Sequence, residues 1–202
     1  MEVIKKGRKI PVMYDNPIDN VLLDYVDICN PYFYRLKCTP NTLTTFSACY
    51  GVLCVWCLYK GFMISAGIHL FISYFFDCAD GNFARRYNMI TKYGDYYDHI
   101  KDCTVMTLFY IAFLFQNKVP INLYLRILLL LKWLVLFNIS FAYLGYQEMI
   151  YNKPEYSNTL SLITKYCKGN AKKQLKVYRW FGTGSVYAVI SLTLITLGIA
   201  YY

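Results

Sequence analysis

Five long apolar stretches divide the chain, at about residues 41–59, 62–85, 93–116, 121–145 and 180–202. At 1.5 Å per residue each is long enough to cross a hydrocarbon core of about 30 Å. The breaks between them carry turn or charge signals: Lys60-Gly61, the basic segment 86–93, Gln116–Pro120, and a polar region after residue 145. Pro40 stands at the start of the first stretch, where a missing N–H costs a helix nothing. Ahead of it, residues 17–39 alternate Val21, Leu22, Leu23, Tyr25, Val26 and Ile28 with Asp19, Asp24 and Asp27. That is too polar to span. It predicts an amphipathic helix lying on the membrane surface, broken near Pro31. Residues 1–16 read as a basic N-terminal tail. No apolar signal-peptide core follows Lys5, Lys6, Arg8 and Lys9, so the first span is expected to serve as the insertion signal and stay. Within the basic segment 150–178, residues 157–168 are too short to span and predict a second interfacial helix. The fold class is all-α: a polytopic helical membrane protein of about five to six transmembrane helices, with an interfacial helix at 17–39 and a membrane domain at 40–202.

Composition agrees. At 57% hydrophobic and 19% aromatic residues, the 202-residue chain is too apolar for most soluble domains. The net charge of +9 does not point to nucleic acid, because the basic residues flank apolar spans instead of forming one face. Most of the 21 Lys and Arg fall on the side of the N-terminus, of loop 86–93 and of segment 150–179, whereas Lys60 and Lys118 lie opposite. The positive-inside rule then makes loop 86–93 cytoplasmic. The eight cysteines sit mostly in or beside apolar spans. Cys54-x2-Cys57 has no histidine or second cysteine pair nearby, so it reads as small apolar packing, with neither zinc nor a structural disulfide expected.

The chemistry concentrates between Asp77 and Asp102, which hold five of the twelve acidic residues. Asp77, Asp80, Gly81, Ala84 and Arg85 share one helical face, and Gly94, Asp98 and Asp102 share another. Asp77 lies roughly 22 Å from the start of its span and Asp102 roughly 21 Å from the end of its own, so both acid sets reach one level. A short loop then predicts antiparallel neighbouring helices whose acidic faces meet. Four carboxylates suit a hard divalent cation such as Mg²⁺ or Mn²⁺. An alternative pairs the same acids with Arg85, Arg86, Lys92 and Lys101 in an interfacial salt network, but it leaves Gly81, Ala84 and Gly94 without a role.

The pattern Asp77-x2-Asp80-Gly81-x2-Ala84-Arg85-x8-Gly94-x3-Asp98-x3-Asp102 resembles the signature of the CDP-alcohol phosphotransferases (CDP-alcohol phosphatidyltransferases, class I) at all eight fixed positions. The resemblance implies an integral membrane enzyme of phospholipid biosynthesis. Such an enzyme transfers a substituted phosphate from a CDP-linked donor to an alcohol acceptor, at least one of them a lipid, and releases CMP. It implies one or two Mg²⁺ or Mn²⁺ held by Asp77, Asp80, Asp98 and Asp102, with Asp102 as general base. It further implies CDP binding at Gly81, Ala84, Arg85 and Gly94. The start T-P-N-T-L-T resembles the family's P-N-x-L-T and would add Asn41 and Thr44, which otherwise read as part of an ordinary helix start. Family members usually show six spans. Arg85-Arg86 and Asp98-His99 look like the choline and ethanolamine phosphotransferases, while the short chain looks like the phosphatidylinositol or phosphatidylglycerophosphate synthases.

Two residues outside the signature also draw notice. Lys132 lies about 17 Å into the fourth span, too deep to snorkel cheaply, whereas Arg126 near the end of that span can. Asn138 lies nearer the cytoplasm, about level with Asp102. Together they predict a polar lining toward the acceptor or the donor's phosphate; backbone bonding or a homodimer contact would also place a lysine there. Two other function classes remain to be weighed: a cation or proton transporter using intramembrane carboxylates, and a catalytically silent membrane scaffold.

Overall fold

The computed structural model describes residues 4–151 and 161–201, and among these the chain is helical with no strand. The helices are α1 Pro17–Arg35, α2 Pro40–Lys60, α3 Met63–Arg86, α4 Lys92–Phe115, α5 Leu123–Tyr151, α6 Ser161–Thr164, α7 Ala171–Tyr178 and α8 Thr183–Ala200, with one 3₁₀ turn at Arg179–Phe181. Part of the interfacial helix expected at 157–168 lies outside the described residues.

Local chemistry sets the ends. Asn16 caps α1 by accepting from the amides of Ile18 and Asp19. Thr39 and Thr42 form a reciprocal capping box around Pro40 at the start of α2. Gly61 closes α2 at φ 86°, a left-handed backbone that favours glycine. Thr91 caps α4 through the Gly94 amide.

Helix α3 is the hub, packed against α1, α2 and α8. A Cβ on Gly67 would stand 2.6 Å from the Ser191 carbonyl, so α3 and α8 are in close backbone approach. Leu58, Met63, Leu70, Phe109, Phe113, Trp133, Ile190 and Leu194 fill one continuous core drawn from α2, α3, α4, α5 and α8.

Helices α3 and α4 both approach α2 most closely, and they meet each other through side chains, with Asp77 of α3 beside Lys101, Asp98 and Asp102 of α4. Gly51 of α2 makes this feasible: a Cβ there would lie 2.7 Å from Val105 of α4 and 3.4 Å from Ser73 of α3. The acidic faces therefore look at each other across a gap, with α2 along one side.

The number of self-sufficient spans is also lower than the five or six expected. By length and apolarity three segments among the described residues qualify: Pro40–Lys60, Leu123–Tyr151 and Ala171–Ala200. Helices α3 and α4 have the length, at 24 residues each, but give the halves around the loop to charged residues. Their burial depends on the bundle.

Three further readings change. Helix α1 continues through Pro31 to Arg35. One missing donor is outweighed by packing beyond it, where Tyr34 stacks on Tyr87 at 4.5 Å and Phe33 meets Phe76. Arg126 does not snorkel. It is buried and donates to the carbonyls of Leu114, Gln116 and Val119, closing the end of α4. The segment before α1 is no free tail: Arg8, Ile10, Tyr14 and Asp15 are buried. Ile10 and Tyr14 pack with Tyr143, Tyr146 and Leu175, and Arg8 donates to Asn20 and Asp24.

Helix α1 buries Asp19, Leu22, Leu23, Val26 and Asn30 toward the bundle and exposes Val21, Tyr25, Ile28 and Tyr32. An outward apolar stripe next to charge suits an interfacial position. Asp19 accepts the Tyr74 hydroxyl at 2.6 Å and lies against Gly184 at the start of α8. Burial, aided by the nearby Asp15 charge, pushes the Asp19 carboxyl up to about 8, and burial likewise raises Asp15. A carboxyl near 4 in the unfolded chain and raised in the fold binds a proton on folding, so its contribution to stability falls as pH rises between those values. The melting temperature in detergent should therefore drop from pH 5 to pH 8, and Asp19→Asn, which keeps an acceptor, should flatten that slope. An equal slope in the variant would show that Asp19 does not set it.

Candidate active site

A cavity of about 410 Å³ opens between α3, α4 and α5, with α1, α2, α8 and the N-terminal segment completing its wall. Ten of the residues singled out from sequence line it: Asn41, Thr44, Asp77, Asp80, Gly81, Ala84, Arg85, Gly94, Asp98 and Asp102. The helical period explains this. On α3 the five signature residues form one stripe, on α4 the three form another, and the gap between the helices is where both point.

Asp77, Asp98 and Asp102 converge, with one carboxylate oxygen from each lying within 4.8 Å of the others. Asp80 stands beside them, buried and held by the Thr44 hydroxyl at 2.6 Å. Thr44 is thus a positioning residue for an acid. Asp98 Oδ1 is buried, and the Lys101 ammonium lies 3.1 Å from it. Converging carboxylates of this kind are a donor set that fits a hard divalent cation.

Lys101 is the feature that the sequence reading assigned only to the salt-network alternative. Its side chain is 4% exposed. The ammonium contacts Asp77, lies 3.1 Å from Asp98 Oδ1 and 2.6 Å from Asp102 Oδ1, and donates to Ser47 Oγ at 3.2 Å. Ser47 in turn accepts from Ser73 Oγ through its carbonyl at 2.8 Å, tying α2 to α3 behind the site. The other basic residues of that alternative do not join in: Arg86 pairs with Asp27 of α1, and Arg85 forms no ion pair with the signature acids.

Arg85 Nε donates to the Gly7 carbonyl at 2.8 Å, and its guanidinium lies over Gly81, where a Cβ would come within 3.1 Å of Nη1. Close by, Lys9 and Glu148 form a buried ion pair. Burial pulls the Lys9 ammonium below its ordinary value, against the opposing pull of Glu148. Asp15 accepts from the Tyr143 hydroxyl at 2.5 Å and from Gln147 Nε2 at 3.1 Å. These contacts hold α5 in helix through its polar end to Tyr151, beyond the boundary near 145 expected from apolarity.

The wall supplied by α5 corrects the Lys132–Asn138 expectation. Neither residue lines the cavity. Both are exposed, and the Asn138 amide donates to the Leu134 carbonyl of its own helix. The inward stripe is instead Phe137, Ser140, Phe141, Leu144, Gln147 and Glu148, spaced at three and four residues, and Lys132 and Asn138 fall off it. With Met106 and Tyr187, the aromatic members of that stripe give the cavity an apolar lining beside its acids.

Thr44 donates the side-chain hydrogen bond that holds buried Asp80, so its hydroxyl is testable. Thr44→Ala should lower stability by about 1–3 kcal/mol, since a buried acceptor loses its donor. Thr44→Ser should restore it. Thermal unfolding in detergent with identical melting for all three proteins would remove the hydroxyl from the account.

The model of the CDP-alcohol phosphatidyltransferase family matches residues 37–196, from just ahead of α2 to near the end of α8. No curated protein and no solved structure matches the chain. The matched span takes in α2 through almost all of α8 and every acid of the convergent cluster, and the chain belongs to the CDP-alcohol phosphatidyltransferase family, whose chemistry is phosphotransfer in phospholipid synthesis.

Proposed function

We propose that this membrane protein transfers a substituted phosphate group from a CDP-linked donor to an alcohol, releases CMP, and depends on Mg²⁺ or Mn²⁺. The observation that carries the reading is the convergence of Asp77, Asp98 and Asp102 beside Asp80 and Gly81 in a cavity lined by both acids and apolar side chains. Asp77, Asp80, Asp98 and Asp102 would hold the cation, which when bound neutralises the diphosphate and orients it for in-line attack. Gly81 and Ala84, lacking bulk, let a nucleotide approach α3. Arg85, steered by the Gly7 carbonyl, presents its remaining N–H groups to phosphate. Asp102 accepts the proton of the acceptor hydroxyl as that oxygen bonds to the β-phosphorus, and the bond to CMP breaks. Phe137, Phe141, Leu144 and Met106 give a lipid chain an apolar wall.

Helices α3 and α4 cross the bilayer inside the bundle, where their charged halves face the cavity and not lipid. The basic residues around the acid-bearing end support a cytoplasmic position for it, where a CDP-linked substrate is found. A second reading, a catalytically silent scaffold, draws support from the Lys101 ion pairs, which bind three of the four acids.

Purified protein in lipid with Mg²⁺ or Mn²⁺ should release CMP from one of CDP-diacylglycerol, CDP-choline or CDP-ethanolamine when offered lipid and polar alcohols. Absence of cation-dependent CMP from every combination would establish the scaffold. Asp102→Asn should lower turnover by roughly 10²–10⁴ with CDP binding retained, and undiminished turnover would remove Asp102 as the base.

A further inference from the structure

Lys101 touches the same oxygens that a divalent cation would use. Asp77 Oδ1, Asp98 Oδ1 and Asp102 Oδ1 all face its ammonium. Four carboxylates gathered in a buried cleft repel one another, and a tethered cation at their focus offsets that repulsion. Its tether is short: Lys101 stands three residues after Asp98 and immediately before Asp102 on α4, and Ser47 of α2 takes a further N–H. With 4% of its side chain exposed, the ammonium is solvated by these carboxylates and Ser47 more than by bulk water.

We propose that Lys101 is a resident counter-ion of the acid cluster, competing directly with the divalent cation for Asp77, Asp98 and Asp102. This rests on the reading of the acids as a cation site. Two consequences follow from elementary electrostatics. The cluster keeps its shape without a divalent ion, because Lys101 links α4 to Asp77 of α3 across the gap. Divalent binding is correspondingly weak, because each ion must displace a hydrogen-bonded ammonium, and the Lys101 charge stays close enough to repel it. Removing the charge should strengthen cation binding while weakening the cation-free fold. A lysine that merely braced the helices would give the reverse for binding, since a loosened site holds an ion less well.

The test is Mn²⁺ binding to purified, nucleotide-free full-length protein in detergent, followed by the electron paramagnetic resonance signal of free Mn²⁺, with melting temperature as a second readout. Lys101→Met should bind Mn²⁺ at least tenfold tighter than wild type. It should melt lower than wild type in chelator and gain more from added Mn²⁺, since a ligand of the folded state stabilises by mass action. Lys101→Arg keeps the charge and should bind no tighter than wild type. Binding by Lys101→Met that equals or falls below wild type overturns the proposal. Should that variant not survive purification, Lys101→Gln against Lys101→Arg decides: tighter binding by the neutral side chain supports competition, and equal binding overturns it. Asp98→Asn separates the two levels of the argument. If it binds Mn²⁺ as wild type does, the cation reading of the acids fails and takes the Lys101 proposal with it. If it binds poorly while Lys101→Met equals wild type, the cation site stands and only the competition is lost.

Discussion

Gathering four carboxylates, one buried and three half-buried, between two helices is the constraint that shapes this molecule. Carboxylates at bilayer depth are costly and survive only where they face protein, water or a cation. Here α3 and α4 meet that demand by standing apart, so that their acids share a cavity. Their separation requires a third helix to register them. Helix α2 does so with small and hydroxyl side chains on the relevant face: Gly51 lets it touch both neighbours, Thr44 binds Asp80, and Ser47 binds Lys101. Change any of these to a bulky apolar residue and either the gap closes or an acid loses a partner. A buried charge left uncompensated is strongly destabilising, so the polar stripe on α2 is structural before it is functional.

A second layer of polar contacts shuts the acid-bearing end. Gly7, Lys9 and Asp15 precede the first helix, yet they bond to Arg85 of α3 and to Glu148, Tyr143 and Gln147 of α5. Asn16, which caps α1, also donates to the Arg179 carbonyl and Ser185 Oγ at the entry of α8. One short segment therefore touches three helices that the core alone would leave splayed around a cavity. The arrangement explains why α5 stays helical past its apolar run: its last turns exchange lipid for buried polar partners.

How much of this was readable from sequence follows from the range of each interaction. Helices were legible because membrane length and 3.6-residue periodicity are local properties, and the observed α2, α3 and α4 begin and end close to the apolar runs. The signature acids were legible because fixed spacing on a helix places them on one face. The inward face of α5 was not. Lys132 and Asn138 were chosen by depth alone, while the spacing of Phe137, Ser140, Phe141, Leu144 and Gln147 held the answer in residues too ordinary to notice. The burial of Arg8, Ile10, Tyr14, Asp15 and Asn16 was also hidden, because a segment without periodicity is held by partners elsewhere in the chain, several of them more than 100 residues away. Lys101 was in view, but its role required knowing that Asp77 lies opposite it.

The cavity's mixed lining gives the family chemistry its physical setting. Phosphotransfer in phospholipid synthesis must bring a highly anionic group and an apolar chain to one point. Charge alone would collect the first and repel the second, and an apolar cleft would do the converse. Here α3 and α4 bring the acids and Arg85, α5 brings Phe137, Phe141 and Leu144, and Asp102 stands on the same wall as Met106, one helical turn away. An apolar side chain one turn from an acid puts both environments on a single helix face, so the cavity does not separate charge from apolar surface.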